Sequence, residues 1–456
     1  MNLAESSLYA SRYEDALAPG VIKHRAESHG SAVEDLMSVG VEEACQKLEC
    51  GLKEVLLVSA QLEKVIRAEI ERALAHSKVV YRSPGAALAA AYAGVAPGDG
   101  TPPSFITGLA GVGKTRLRLA IQRILVGDRK ISLDPAHSAV PLIDYVDCVV
   151  GKKASVSAVL RTFASPGTAS GKVRIGQEEL GRECARWMRV SGVCLFGGDE
   201  TQFMAQSAAA STLITRTLLA LAELQVPWFV IANYSLVWKL RSRPPEATQR
   251  LLSRPVVLLP DPPASEDWAV LLAAYQVVLD EAVSFSLVDH RVELWNLCAG
   301  LKRLLVNLLV LSYWMARSAG SPKASWAHVR QAFNSVRYAT ARDDVNLLIA
   351  HAGQKTSLRK DLLCPFNGPE LQADAEVFAD QLRAARLATV ALRTVQASMN
   401  RQERDAIAFI NKSANLMPEP TAQVIKLQKN RKPRTLNGML VAAAGFMESL
   451  DDRSKK

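Results

Sequence analysis

Through its first 75 residues the chain places apolar side chains at the three- and four-residue spacing of one helical face. The positions that show this spacing most clearly are Leu48, Leu52, Val55, Leu56, Leu62, Val65, Ile66 and Ile70. Such a stripe is typical of helices that bury one side. The composition changes between Tyr81 and Pro103, where the segment APGDGTPP predicts a loop. We therefore predict a helical N-terminal segment over residues 1–75.

Short apolar runs then alternate with amphipathic stretches, and everything after about Ala264 has a helical pattern. The runs that predict strands are SFIT (104–107), VPLIDYV (140–146), VCLFGGD (193–199), VPWFVIA (226–232) and RPVVLLP (254–260). This alternation predicts an α/β fold, with a parallel sheet flanked by helices. The predicted parts are a nucleotide-binding core (76–263), an all-helical lid (264–355) and a helical extension with a basic tail (356–456).

The charge of the chain is unevenly distributed. The 456 residues carry 55 Lys and Arg against 45 Asp and Glu, a net charge of +10, which favours a polyanionic partner such as nucleic acid. Residues 1–75 hold 13 acidic and 8 basic side chains, a net −5, so the other residues carry +15. The N-terminal segment and the body are therefore expected to have different partners.

Three features predict a cytoplasmic protein. The longest strongly apolar run, Leu304 to Ala316, has 13 residues, whereas a membrane-spanning helix needs about 20. The first residues are acidic and lack the apolar stretch of a secretory signal. The seven cysteines are an odd number without CxxC spacing, which suits a reducing compartment.

The residues from Gly108 to Thr115 read GLAGVGKT and match the phosphate-binding pattern GxxxxGK[ST]. The match follows a predicted strand and opens a predicted helix, whose N-terminal N–H groups would face the phosphates of a nucleotide. We expect the backbone at Gly108, Gly111 and Gly113 to hold ATP. Lys114 would reach its β- and γ-phosphates, and the Thr115 hydroxyl would bind Mg²⁺.

A carboxylate pair, Asp199 and Glu200, follows the third apolar run. A P-loop ATPase needs one acid at the end of a buried strand for Mg²⁺ and a residue that orients the attacking water. We assign the metal to Asp199 and the water to Glu200; a surface pair in a loop is the alternative. Gly197 and Gly198 stand where apolar residues are usual, and we expect them to weaken the strand and slow hydrolysis.

Four further polar residues complete the candidate site. Asn233 follows the next strand and can hydrogen-bond the attacking water or the γ-phosphate, although asparagine is also a common turn residue. Arg250 and Arg254 precede the last strand and are candidates for an arginine finger that reaches a neighbouring subunit, or else solvated side chains. Arg303, in the helical region after Gly300, is a candidate for a lid arginine that touches the nucleotide.

Taken in order along the chain, these features resemble the AAA+ ATPases. Within that class the chain is most similar to the transposition regulators of the TnsC/TniB group. The segments that carry this resemblance are DETQ (199–202), VPWFVIANYSLVWKLR (226–241), GLKRLLVNLLVLSYWMA (300–316) and WAHVRQAF (326–333). The resemblance covers about 80–355, and the paired glycines before Asp199 depart from it.

The resemblance implies ATP-dependent assembly into a ring or helical filament on duplex DNA, with Mg²⁺ as the metal. Such proteins connect a target-selecting partner to the transposase. In family members the segment after the second strand faces DNA, which here contains Lys152, Lys153 and Ser155. Two lysines and a small hydroxyl residue suit phosphate contacts that do not depend on base sequence. A solvated loop is the alternative.

The role of the C-terminal tail stays open on the sequence alone. Residues 401–456 hold 11 Lys and Arg against 6 Asp and Glu, which predicts a docking segment for the transposase, a second DNA contact or a solvated tail.

Three other functions of the whole protein also stay open. They are a different DNA-loading AAA+ ATPase, of the helicase-loader or origin-binding type, a small-molecule kinase and a non-hydrolysing nucleotide switch. The leucine-rich, arginine-poor helices after Ala264 argue against the kinase.

Overall fold

The computed structural model describes residues 8–92, 100–149, 155–165, 168, 175–199, 208–354, 359–366, 369–400, 402–403 and 405–406. Residues Met1–Met399 cluster as one unit, and Asn400–Lys456 as a second. Within the described ranges no single helix is both long and apolar enough to cross a bilayer. Among the described helices, the pair Arg291–Cys298 and Lys302–Ser318, bent by 106°, reaches that length and composition together.

The N-terminal segment is helical, as its apolar spacing predicts. Its helices are α1 (Leu8–Leu17), α2 (Val21–Ala26), α3 (Val41–Glu54), α4 (Ala60–Val80) and α5 (Pro84–Tyr92). Ser59 is the N-cap of α4, because its side chain accepts a hydrogen bond from the N–H of Leu62. Ile66 and Ile70 of the predicted stripe are fully buried.

Five parallel strands form the central sheet in the order β4-β5-β6-β1-β7. These strands are β1 (Ser104–Gly108), β4 (Val146–Val149), β5 (Phe196–Asp199), β6 (Trp228–Asn233) and β7 (Arg254–Leu258). In the register of the sheet, Gly108 lies between Asn233 and Leu258. Because the strands are parallel, their carboxyl ends share one edge, and the P-loop, Asp199 and Asn233 all lie there.

One predicted strand is divided in the structure. The run VPLIDYV was predicted as a single sheet strand, but Val140–Ile143 (β3) pairs antiparallel with Asp128–Ile131 (β2), and the sheet strand begins only at Val146. Asp144 lies between the two pieces, where neither ladder continues. Its carboxylate is buried and pairs with Arg12. The strand β2 has the polar sequence DRKI, which gives no apolar signal.

Helices cover the sheet and make up the rest of the described chain. Those flanking the sheet are α6 (Lys114–Ile124), α7 (Val156–Leu160), α8 (Gln177–Val190), α9 (Ala208–Ala222), α10 (Tyr234–Arg241) and α11 (Pro245–Leu251). Those that follow it are α12 (Glu266–Val278), α13 (Arg291–Cys298), α14 (Lys302–Ser318), α15 (Trp326–Asn334), α16 (Ala339–Gln354) and α17 (Pro369–Ser398). The α/β fold with a helical lid is thus confirmed. The domain boundaries stay predictions.

A buried ion pair fastens α1 to the sheet layer. Arg12 Nη1 lies 3.0 Å from Asp144 Oδ1, and both side chains are almost completely buried. The same guanidinium donates to the backbone carbonyls of Tyr9, Ile143 and Gly192. These acceptors offset the cost of removing the guanidinium from water.

A second arginine fastens α4 to the amino ends of two strands. Arg72 Nη1 donates to Glu69 Oε2 at 2.7 Å, to Ser104 Oγ at 2.6 Å and to the Trp228 carbonyl at 3.2 Å. Ser104 opens β1 and Trp228 opens β6. Burial raises the pKa of Glu69, and the charge of Arg72 opposes this effect.

The N-terminal helix α3 also contacts the lid. Arg317 on α14 donates to the carbonyls of Leu36 and Val39, at 2.5 and 3.2 Å. Trp314 Nε1 on the same helix donates to Glu42 Oε1 at 2.9 Å. The N-terminal helices therefore contact the sheet through α1 and α4 and the lid through α3.

Replacing Arg12 by methionine should lower the free energy of unfolding by about 2 kcal/mol, because Asp144 would lose its buried partner and keep only the half-exposed Arg129. Chemical denaturation of the two proteins measures the difference. The control is Lys53→Met, which removes the exposed partner of Glu49 and should change stability by less than about 1 kcal/mol. An equally small effect of Arg12→Met would mean that the buried pair does not hold α1.

Candidate nucleotide-binding site

The P-loop lies between β1 and α6, at the carboxyl edge of the sheet. The strand ends at Gly108 and the helix begins at Lys114. Gly111 has a φ of 89° and Gly113 a φ of 124°, which are backbone conformations that L side chains rarely adopt. These two glycines let the chain turn from strand to helix, so that the first N–H groups of α6 lie at this edge.

The first turn of the lid helix α14 packs directly on the P-loop. The backbone N–H of Arg303 donates to the Gly111 carbonyl at 3.3 Å. A Cβ atom at Gly111 would lie only 2.8 Å from the Cβ of Arg303. Glycine at this position is therefore required by the packing of the lid as well as by φ. The predicted lid arginine is a direct neighbour of the phosphate-binding loop.

The side chain of Lys114 is buried against the loop that it follows. Its Nζ donates to the carbonyls of Gly108 and Leu109, at 2.8 and 2.7 Å. Burial, and after it the positive charge of Arg303, lower the pKa of Lys114 to about 7, while Asp199 acts in the opposite direction. The ammonium group is thus influenced by both the lid arginine and the acidic strand end.

Asp199 ends β5 and is only 3% exposed. Arg118 on α6 donates from Nε to Asp199 Oδ2 at 3.2 Å and forms a second ion pair with Asp147 on β4. Thr115 precedes Arg118 by one helical turn. A hydroxyl and a carboxylate are oxygen donors of the kind that Mg²⁺ takes in proteins, together with substrate phosphates. Thr115 and Asp199 therefore have the chemistry that Mg²⁺ requires, and their role as its ligands stays a prediction.

The paired glycines before Asp199 do not interrupt the strand. Gly197 and Gly198 are both part of β5 and pair in register with β4 on one side and β6 on the other. These ladders show that the strand forms, and the expectation that the glycines weaken it stays a prediction. Slow hydrolysis stays a prediction.

The sequence predicts that Glu200 orients the attacking water and that Asn233 hydrogen-bonds this water or the γ-phosphate. Asn233 closes β6 directly opposite Gly108 in the register of the sheet, so it lies beside the start of the P-loop. Its role stays a prediction. Glu200 lies outside the described residues.

The two candidate arginine fingers lie away from the P-loop of their own chain. Arg254 opens β7 in register with Ser104, at the amino edge of the sheet. Arg250 lies in the last turn of α11. Both side chains are exposed, as a residue that acts on a neighbouring subunit must be. Their role stays a prediction.

Of the three predicted DNA contacts the structure describes one. Ser155 is the N-cap of α7, and its Oγ accepts a hydrogen bond from the N–H of Ala158 at 3.2 Å. Lys152 and Lys153 lie outside the described residues.

Two basic residues at the site were missed by sequence reasoning. Lys302 pairs with Asp261 at 2.9 Å, and its Nζ would lie 3.9 Å from a Cβ atom at Gly113. Its position beside Arg303 in GLKR was an available signal. Arg118 follows Thr115 by three residues, a helical spacing that places the two on neighbouring positions of one face.

Comparisons with known proteins add little to this site. No family model and no curated protein matches the sequence. Among solved structures, ORC2 of Aeropyrum pernix in ADPNP–ADP complexes is 14% identical, with a TM-score of 0.39, over 72% of this chain and 85% of that chain. ORC1 of the same organism, in complex with DNA, is 16% identical, with a TM-score of 0.35, over 75% and 73%. Cdc6p of Pyrobaculum aerophilum is 10% identical, with a TM-score of 0.36, over 81% and 90%.

Similarity at this level does not transfer a function, so the class of fold follows from the coordinates. The P-loop joins β1 to α6, the carboxylate strand β5 is separated from β1 by β6, and a helical lid lies on the loop. This combination defines a P-loop core of the AAA+ type followed by a helical lid.

Nucleotide binding should be linked to proton uptake at Lys114. With a pKa of about 7, the lysine is mostly neutral at about pH 8.5, and the phosphates of bound Mg·ADP would raise that pKa and recharge it. Binding should therefore take up close to one proton at about pH 8.5 and far less at about pH 6, and affinity should fall above pH 7.

Calorimetric titration in buffers of different ionisation enthalpy counts these protons. The reference is Lys114→Arg, since arginine stays protonated throughout, and subtracting it removes the protons that belong to the nucleotide. A proton count that is equal in both proteins at both pH values would contradict the assignment.

Proposed function

We propose that this protein is an ATP-dependent, DNA-binding regulatory ATPase of transposition that oligomerises on duplex DNA. The observation that carries the proposal is the packing of the lid helix on the P-loop, with Arg303 bonded to Gly111. A nucleotide at this loop would contact core and lid together, so that its binding and hydrolysis can control their arrangement. The lid sequence that makes this contact is also the most specific part of the resemblance to the TnsC/TniB group.

The residues of this chain have separate parts in the proposed hydrolysis. The P-loop N–H groups and Lys114 bind and orient the phosphates, and Thr115 and Asp199 hold the metal ion. When bound, Mg²⁺ neutralises charge that develops on the phosphates. Glu200 orients the attacking water, and Asn233 hydrogen-bonds this water or the γ-phosphate. Arg303 touches the nucleotide from the lid. Arg250 or Arg254 reaches the nucleotide site of the next subunit as an arginine finger.

The proposed partners are duplex DNA, further copies of the chain, a target-selecting protein and the transposase. Lys152, Lys153 and Ser155 are proposed to face DNA. The basic tail from residue 401 onward is proposed to dock on the transposase. The same nucleotide site would also serve another DNA-loading AAA+ ATPase, and stimulation of a cognate transposase separates these two functions.

Assembly on DNA should depend on ATP binding and end with ATP hydrolysis. Lys114→Ala removes the cation that faces the β- and γ-phosphates, so it should lose both nucleotide binding and ATP-dependent assembly on DNA. Glu200→Gln keeps the shape of the side chain but cannot act as the carboxylate, so it should assemble and then persist on DNA.

Electron microscopy and sedimentation with duplex DNA and ATP distinguish these states, and a turnover assay with and without DNA accompanies them. ATP binding by Lys114→Ala at the original affinity would rule out the P-loop assignment. Rapid disassembly of Glu200→Gln would show that another residue orients the water. Phosphorylation of a small molecule, without any effect of DNA, would favour the kinase.

If Lys152 and Lys153 each neutralise a phosphate, the double alanine variant should weaken duplex binding equally for all base sequences. The slope of log K against log salt should flatten by about 0.9 per lost contact. The control is the double variant Lys47→Ala/Lys53→Ala, which removes the same charge from exposed positions of α3. An equal slope for both double variants would place Lys152 and Lys153 away from the DNA.

A further inference from the structure

Arg118 joins two carboxylates at the carboxyl edge of the sheet. Its Nε lies 3.2 Å from Asp199 Oδ2, and its Nη1 pairs with Asp147 Oδ2. The side chain of Arg118 is 12% exposed, that of Asp199 is 4% exposed and that of Asp147 is 22% exposed. One cation therefore serves two largely buried anions, and one of those anions is the candidate ligand for Mg²⁺.

The second carboxylate has a support of its own. Tyr145 donates from its hydroxyl to Asp147 Oδ1 at 3.1 Å, and its ring is stacked on Phe229 at a centroid distance of 6.2 Å. Both rings occupy the space over Gly197, where a Cβ atom would overlap the Tyr145 hydroxyl and the Phe229 ring. The glycine that departs from the usual pattern therefore makes room for the tyrosine that holds Asp147.

We propose that Arg118 competes with Mg²⁺ for Asp199, and that Asp147 is the anion on which Arg118 remains when Asp199 turns to the metal. This inference rests on the proposed function, because it takes Asp199 as the metal-binding carboxylate. Arg118 acts through Asp199 and not on the substrate, so it is a positioning residue. Asp147 and Tyr145 in turn position Arg118.

Removing the charge of Arg118 and removing the charge of Asp147 should change Mg²⁺ binding in opposite directions. Removing the positive charge of Arg118 leaves two carboxylates facing an arriving cation, which strengthens the attraction of Mg²⁺. Removing the negative charge of Asp147 leaves Asp199 as the carboxylate with which Arg118 pairs. Mg²⁺ then displaces Arg118 from Asp199 less easily. Removing both charges together leaves the net charge of the three side chains unchanged but also removes the competing cation, so the double variant should fall between the two single variants. A purely structural role would weaken binding in all three variants.

The experiment titrates Mg²⁺ into the full-length protein with a fluorescent ADP analogue, so that no turnover is needed. In Arg118→Gln the concentration of Mg²⁺ for half-maximal effect should fall about tenfold, and in Asp147→Asn it should rise about tenfold. Arg118→Gln/Asp147→Asn should require a concentration between those of the two single variants. Arg123→Gln is the control, because it removes a charge from the same helix whose partner is the Ala26 carbonyl.

The Mg²⁺ dependence of the variants tests the competition, and nucleotide binding by the original protein tests the proposed function. Unchanged Mg²⁺ dependence in both single variants, or weaker Mg²⁺ binding in both, would overturn the competition between Arg118 and the metal. If Arg118→Gln does not fold, as thermal unfolding would show, Arg118→Met takes its place, and a half-maximal Mg²⁺ concentration that does not fall below the original value would overturn the competition. Absence of any nucleotide binding by the original protein would instead overturn the proposed function, whereas nucleotide binding with unshifted variants overturns this inference alone.

Discussion

The close approach of Arg303 to Gly111 is the contact on which the rest of the nucleotide site depends. The lid helix can bond to the P-loop because Gly111 has no side chain, and a Cβ atom there would lie 2.8 Å from the Cβ of Arg303. This approach brings two lid cations, Lys302 and Arg303, next to the loop that would hold the phosphates. Asp261 pairs with Lys302 at 2.9 Å and so holds the same turn of the lid from the sheet side.

The N-terminal helices hold the sheet and the lid in one arrangement. Arg12 and Arg72 bond to the sheet layer, and Arg317 and Trp314 bond the lid to the loop before α3 and to α3 itself. Buried ion pairs of this kind add little net stability compared with apolar side chains, but an unpaired charge would cost several kcal/mol, on the order of 3–5. A displaced N-terminal segment would take Arg12 away from Asp144 and Arg72 away from the ends of two strands. We infer that these contacts select one docked position of the segment.

The same rule applies at the acidic edge of the sheet. Arg118 serves both Asp147 and Asp199, and Tyr145 donates to the first of them. Tyr145 can occupy its position only if residue 197 is glycine. Gly197 is therefore required by the packing of the side chains that surround the candidate metal ligand.

The sequence by itself determined the parts of this protein that depend on neighbouring residues. The P-loop could be predicted because its glycines, its lysine and the strand-to-helix change lie within eight residues of each other, and Asp199 because it ends an apolar strand. The helical lid followed from its spacing, and Arg303 from its place after Gly300. The hairpin β2–β3 was missed because β2, with the sequence DRKI, carries too little apolar patterning to predict a strand.

Only the tertiary structure decided the pairs that join distant segments. Asp144, at the point where a predicted strand divides, pairs with Arg12, which is 132 residues away. Arg118 reaches Asp199 over a separation of 81 residues, and Lys302 reaches Asp261 from another element. Spacing along one helix or strand cannot reveal such partners. A buried charge is stable only beside its partner, and the packing of helices on the sheet determines which partner that is.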